Sequence, residues 1–320
     1  EDRAQNIIQL IDEGNTIPFI ARYRKEMTGS CDDQVLREFN DRLTYLRNLE
    51  QRKAEVAKSI TEQEKMTEEI QKALDAAVTL TEVEDIYRPY KQKKKTRASV
   101  AIERGLQPLA DFILAQDPNA DVKAEAEKYI DEDKGVPTTD AALAGAKDII
   151  AEIVSDDANV RKKLRNLFMR NGEIATKLVN TDKEDSKTYE MYADYSEPVA
   201  EIKSHRVLAV NRGEKEGFLK VKLLLNDEIA KRIAGASYLK NGGYSTELVK
   251  EAVDDGYDRL IFPSIEREIR AMLTESASEQ AIKMFEINLK PLLMQPPVKD
   301  KENTPSYISH AKTDPHHICR

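Results

Sequence analysis

The stretch from Arg88 to Arg97, Arg-Pro-Tyr-Lys-Gln-Lys-Lys-Lys-Thr-Arg, brings Arg88, Lys91, Lys93, Lys94, Lys95 and Arg97 together with no acid between them. Cations at this density repel one another, and a polyanion such as a nucleic-acid backbone relieves the repulsion. Tyr87 and Tyr90 either offer aromatic faces on which bases stack or belong to a core. The alternative for the whole run is a solvated charged loop. A second cationic group, Arg22, Arg24 and Lys25, lies within Gly14 to Gly29, Gly-Asn-Thr-Ile-Pro-Phe-Ile-Ala-Arg-Tyr-Arg-Lys-Glu-Met-Thr-Gly. Arginine grips phosphate bidentately, and it grips a carboxylate across a helix interface equally well. A structural ion pair is expected of Arg22, because it stands in an apolar-rich run.

Other chemistry is missing from the motifs. There is no Gly-x-x-x-x-Gly-Lys-Ser/Thr phosphate loop, no Gly-x-Gly-x-x-Gly, no His-Glu-x-x-His and no paired-cysteine zinc spacing. His205 is the one histidine before the last twenty residues, and Ser204 beside it would point to the opposite face of a strand, so the two do not form a catalytic dyad. His316, His317 and Cys319 form a short cluster without a spaced second half, which is a poor metal site. Neither catalysis nor a cofactor or metal is expected.

The 320 residues carry 50 Lys and Arg against 58 Asp and Glu, a net charge of −8. That balance excludes a uniformly basic nucleic-acid binder and leaves local patches to do any such binding. Cys31 and Cys319 stand at opposite ends, which argues against a disulfide framework and fits a reducing cytoplasm. No run of apolar residues is long enough to span a bilayer, so no membrane partner is expected.

Helical periodicity dominates to about residue 180. Gly14 and Asn15 end a first helix, Pro18 opens a second and Gly29 closes it, with Phe19, Ile20 and Tyr23 on the buried side and the cations in solvent. Asp32 caps a helix running to about Ser59, and a further helix begins near Thr67. Thr81 and Glu84 have capping-box spacing for a third, which stops at Pro89. Gly105 to Leu114, Val122 to Ile130, Thr139 to Val154 and Asn159 to Arg170 follow. The Thr139 helix is rich in Ala and able to pack closely, and Arg161, Lys162, Lys163 and Arg165 surround the apolar side of the last. From Ile174 the pattern switches. Thr181 to Thr188 reads as a solvated connection, and Tyr189 to Tyr195 as helix or extended chain. His205 to Asn211 and Phe218 to Leu225 read as two strands of a β-hairpin joined by Arg212 to Gly217. Helices return at Asn226, with turns at Asn241-Gly242-Gly243 and Asp254-Asp255-Gly256. Ser264 caps a final helix to Pro291 that is about 40 Å long at 1.5 Å per residue.

Four motifs in order resemble the bacterial Tex family of transcription accessory proteins. They are the Gly14 to Gly29 run; Leu80 to Lys91; Lys93 to Ala98 with Glu103 to Asp111; and Ser204 to Gly217. The resemblance spans roughly residues 1 to 299 and implies an N-terminal fragment, since such proteins continue into an RNase H-like domain, helix-hairpin-helix elements and an OB-fold RNA-binding domain. It further implies a helix-turn-helix-like unit near the N-terminus and, through similarity to a eukaryotic elongation factor, a place at RNA polymerase. The expected fold is mainly α: an elongated multi-helix scaffold with that unit, one β-hairpin and a long C-terminal helix. Residues 1–180 form the N-terminal helical region, 181–227 a linker and hairpin, and 228–299 a helical segment; 300–320 read as a vector-derived or non-native tail. The expected role is a non-catalytic scaffold that binds RNA or DNA through its basic patches and positions the C-terminal nucleic-acid domains. The rival is a protein-interaction scaffold that touches no nucleic acid.

Overall fold

A computed structural model describes residues 2–92, 94–180, 184–240 and 243–295. Lys93, Thr181 to Lys183 of the expected connection, the Asn241-Gly242 part of the expected turn, positions 296–299 of the expected helical segment and the 300–320 tail with its His316, His317 and Cys319 lie outside these residues. The fold is mainly α, with fifteen α-helices and three strands among the described residues. It divides into two compact units, the first drawn from Glu1–Ala175, Ser196–Ala200 and Lys222–Ile269, the second from Thr176–Tyr195, Glu201–Val221 and Arg270 onward.

In the first unit, helix α1 (Asp2–Asp12) ends at Gly14, whose φ of +82° a side chain would strain. Helices α2 (Ile17–Tyr23) and α3 (Lys25–Thr28) follow, with Pro18 in the opening turn and Gly29, at φ +70°, donating its N–H to Lys25 at the close. The 30-residue α4 (Asp33–Glu62) begins where the Asp32 carboxylate accepts the N–H of Val35 at 2.9 Å. One end of α4 buries Leu36 against Ile7, Leu10 and Ile20. The other end packs Leu49, Val56 and Ile60 on Leu74 of α5 (Glu68–Ala76) and Val83 of α6 (Leu80–Tyr87). The cap of α6 is Thr79, which accepts from Glu82 N–H, while Glu82 accepts from Val78 N–H. Thr81 and Glu84 therefore do not form the expected box; Glu84 instead binds Arg52 Nε at 2.7 Å.

A 3-10 turn (Arg88–Tyr90) leads to α7 (Arg97–Glu103), α8 (Gln107–Ala115), α9 (Val122–Glu127), α10 (Thr139–Asp156) and α11 (Ala158–Asn171). The Ala-rich α10 is the hub of this unit, with Ala142, Ala146, Ile150, Ala151 and Val154 fully buried among its neighbours. Strand β1 (Glu173–Leu178) is the middle of a sheet of order β2-β1-β3, with β2 at Asp194–Pro198 and β3 at Leu219–Leu224. The Tyr189 to Tyr195 stretch, read both ways from sequence, is 3-10 helix to Tyr192 and strand from Asp194.

The expected β-hairpin is not formed. Phe218 to Leu225 holds strand β3, but His205 to Asn211 lies in helix α12 (Ser204–Lys215). Val207, Val210 and Gly213 are buried at a spacing of three, the helical stripe that β-branched composition disguised. Gly213 sits inside the helix because a Cβ there would come within 2.8 Å of the Tyr189 ring and 2.6 Å of Leu219 Cδ1. The left-handed residue that ends α12 is Gly217, at φ +80°.

After α13 (Asp227–Gly235) and α14 (Tyr244–Gly256) the turn expected at Asp254-Asp255-Gly256 is absent. The chain continues through a π-helical segment (Tyr257–Ile261) into α15 (Phe262–Leu293). Gly256 has helical φ and serves contact rather than reversal: a Cβ on it would lie 2.9 Å from the carbonyl oxygen of Ala151 on α10. Ser264 is consequently a mid-helix residue, 8% exposed, and not a cap. Within the second unit α15 holds α12: Asn211 donates to Thr274 at 2.9 Å, and Arg270 pairs with Glu214. The Ser204 to Gly217 motif thus specifies packing, and His205 is an exposed helical residue rather than a strand edge.

Candidate nucleic-acid interface

The two cationic groups are built differently. In the Arg88 to Arg97 run, Arg88 leads the 3-10 turn and its Nε donates to Asp156 at 3.2 Å, at the end of α10. The two tyrosines are half-buried against the core. Tyr87 shares a hydrogen bond with Ser59 at 3.1 Å and carries Arg52 over its ring at 5.6 Å, and Tyr90 packs on the same α4–α6 cluster. That packing leaves a base only part of each ring.

Beyond the turn, Lys91 lines a cavity of about 540 Å³ whose wall also holds Thr96, Glu152, Asp156, Asp157 and Tyr238. Thr96 donates to Glu152 at 2.8 Å and Tyr238 to Asp157 at 2.8 Å; burial, with Asp157 beside it, pushes the Tyr238 hydroxyl far up. Three carboxylates around one lysine make the cavity itself hostile to a phosphate. Lys95 is 3.7 Å from Glu103, an exposed pair that holds it only weakly. Lys91, Lys94 and Arg97 are exposed and have no ion pair among the described residues. The cations of this run that are open to solvent therefore lie on the rim of the cavity and not inside it.

At the N-terminus the arrangement is more open. Seven residues of α2 bury one stripe, and Ile20 takes it with Ile17 and Ala21 beside it. Phe19 and Tyr23, four residues apart on another stripe, stay exposed at 36% and 57%, contrary to the expectation that both are buried. Their rings are 5.2 Å apart, and the Arg24 guanidinium lies 5.5 Å over Phe19. Arg22 and Lys25 are exposed and have no ion pair among the described residues, so the structural pair expected of Arg22 is not formed. The Arg24 guanidinium donates a hydrogen bond to the Tyr23 carbonyl.

Sequence reasoning missed a buried charge cluster in the first unit. Arg161 and Arg165, one turn apart on α11, converge on Asp85 of α6 and Glu268 of α15. Asp85 accepts from Arg161 Nε at 2.9 Å and from Arg165 Nη2 at 3.0 Å, and Arg161 also donates to Ser264 at 3.1 Å. Burial alone would raise Glu268, but the charges and hydrogen bonds of Arg161 and Arg165 outweigh it and hold the carboxyl below its ordinary value. Arg161 has no exposed surface. The available signal was the i, i+4 spacing of Arg161 and Arg165 facing the same way as Leu164 and Phe168. The cluster clamps three helices, α6, α11 and α15, through buried ion pairs. Among the described residues no group of three or more His, Cys, Asp or Glu side chains is placed to hold a metal ion.

A mainly helical, charge-rich protein with exposed cationic groups is the class these features define. The Tex central region-like family matches residues 117–285, and the Tex-like protein N-terminal domain family matches residues 1–61. The chain belongs to the Tex family. It is 47% identical over 305 residues to uncharacterized protein YdcI of Bacillus subtilis, covering 94% of this chain and 42% of that one. It is 40% identical over 298 residues to transcriptional accessory protein Tex of Neisseria gonorrhoeae, covering 91% and 39%. It is also 31% identical over 310 residues to human S1 RNA-binding domain-containing protein 1, covering 92% and 31%. The chain thus spans about two fifths of the length of its bacterial relatives.

Proposed function

We propose that this chain is the non-catalytic helical platform of a cytoplasmic transcription accessory protein, contributing phosphate contacts to RNA or DNA while it positions further nucleic-acid-binding domains. The carrying observation is that Arg22, Arg24 and Lys25 stay exposed, with no carboxylate partner among the described residues, in a chain of net charge −8. Lys91, Lys94 and Arg97, with Lys95 loosely paired, extend the contact as a second track, to which Lys93 belongs by sequence; Arg88 steadies the turn. A relative named for an S1 RNA-binding domain and others named as transcriptional accessory proteins support the nucleic-acid reading.

The test is fluorescence anisotropy of labelled single-stranded RNA, single-stranded DNA and duplex DNA with the whole chain across a salt series. On single strands the logarithm of affinity should fall with the logarithm of salt by about 0.7 per phosphate neutralised. Replacing Arg22, Arg24 and Lys25 together with Gln should flatten that slope by about 2. Binding that is absent at low salt, or a slope that the triple variant leaves unchanged, refutes the reading.

A second reading, docking on RNA polymerase or another protein of the transcription machinery, is favoured by the last turns of α15. There Ile282, Phe285, Leu292 and Leu293 are each more than 60% exposed, an apolar surface suited to polypeptide rather than to phosphate.

A further inference from the structure

We infer that the α2–α3 surface takes unpaired bases of a single-stranded nucleic acid by stacking on Tyr23, so that this patch reads strandedness whereas the Arg88 to Arg97 run contacts backbone alone. The inference rests on the nucleic-acid reading above and goes beyond it by assigning a base-binding residue and a substrate class.

Three observations converge. Tyr23 is 57% exposed although it closes a helix whose neighbouring Ile20 is completely buried, so its ring is surplus to the core. Phe19 lies 5.2 Å behind it at a 44° tilt, and Arg24 sits 5.5 Å over Phe19. The Tyr23 ring is thus buttressed without being covered by a core. Arg22 and Lys25, one and two positions from it in the chain, are exposed cations with no ion pair among the described residues, available to the phosphates that flank a stacked base. An aromatic face set between free cations is the arrangement by which proteins hold single strands. Duplex DNA keeps its bases stacked on one another and offers this ring nothing beyond its phosphates. At the other basic run Tyr87 and Tyr90 are half-buried against the α4–α6 core and present less of their rings than Tyr23 does. An acidic peptide would satisfy the cations, but it would leave the aromatic pair without a planar partner.

The chain contains no tryptophan, which makes the test direct. A Tyr23→Trp variant carries a single indole at the proposed platform, and stacking of a base on it quenches its emission. Single-stranded RNA or DNA should quench that emission at the concentrations where anisotropy shows binding; an abasic strand and duplex DNA should not. A Tyr23→Leu variant, at an exposed position outside the core, should bind single strands about five- to 150-fold more weakly and leave duplex affinity unchanged. Salt-dependent binding without quenching, or with equal affinity of the Tyr23→Leu variant for single strands, overturns base stacking while the phosphate reading stands. Absence of binding by any polynucleotide overturns both and leaves the surface to a protein partner.

Discussion

Neutralising Asp85 is the perturbation that most directly tests how this fold is held. Asp85 is 5% exposed and accepts hydrogen bonds from Arg161 Nε and Arg165 Nη2, so a single carboxylate serves two guanidinium groups on α11. Asp85→Asn keeps the volume but removes the charge, and it turns an amide N–H toward one of two cations that then share only Glu268. Taking one partner from a buried pair costs about 3–5 kcal/mol, because the stranded charge stays desolvated. At about 2–4 °C per kcal/mol for a domain of this size, the thermal midpoint should fall by about 6–20 °C. The matched control is Arg37→Gln, which removes the Arg37–Asp33 pair at 2.6 Å, with side chains 56% and 45% exposed. An exposed helical pair of this kind contributes about 0.3–0.5 kcal/mol, a shift of no more than about 2 °C. The assay is thermal unfolding followed by the helical far-ultraviolet signal, with urea titration as a check on the midpoint. Adding Arg161→Met to Asp85→Asn should recover part of the loss, since the uncompensated buried charge is gone. An Asp85→Asn midpoint within error of the Arg37→Gln control refutes the clamp.

Two further outcomes follow from the same structure. Because Glu268 is held below its ordinary value of 4.5, its ionised form is favoured in the fold; the stability it contributes is present above pH 4.5 and is lost as pH falls through its lower folded value. The urea midpoint of the unmodified chain should therefore exceed that of Glu268→Gln at neutral pH, and the gap should close on acidification; a gap that widens on acidification contradicts the assignment. Gly256→Ala gains helix propensity but forces a Cβ to 2.9 Å from the Ala151 carbonyl oxygen, which backbone cannot yield cheaply. A net loss of about 1–2 kcal/mol is expected by denaturant titration, and a stabilised variant would show that α10 and α14 do not meet this closely.

What the sequence determined on its own is what local rules govern. Asp32 and Thr67 cap helices where expected, Gly29 takes the left-handed conformation, and the Ala-rich Thr139 to Asp156 helix packs tightly on its neighbours. Each of these depends on residues within about a turn of one another, or on a composition that favours close approach, and so is written in spacing. The family was legible from four motifs for the same reason, as an ordered set of such local patterns. Where a residue's partner is distant, spacing was silent. His205 to Asn211 has the β-branched content of a strand but becomes helix because Tyr189 and Leu219 press onto Gly213, and Asn211 and Glu214 find Thr274 and Arg270 some sixty positions on. Asp254-Asp255-Gly256 has the composition of a turn, yet the helix continues because Gly256 must meet Ala151. The cations were equally ambiguous until their surroundings were known. Arg161 and Arg165 resemble the solvated cations beside them in sequence, and only the arrival of Asp85 and Glu268 buries them. Arg22 had every local reason to be paired, yet in the tertiary structure no carboxylate among the described residues meets it. Charge and aromaticity are properties of the sequence, but whether they are spent inside the fold or left for a ligand is decided by which distant elements pack against them.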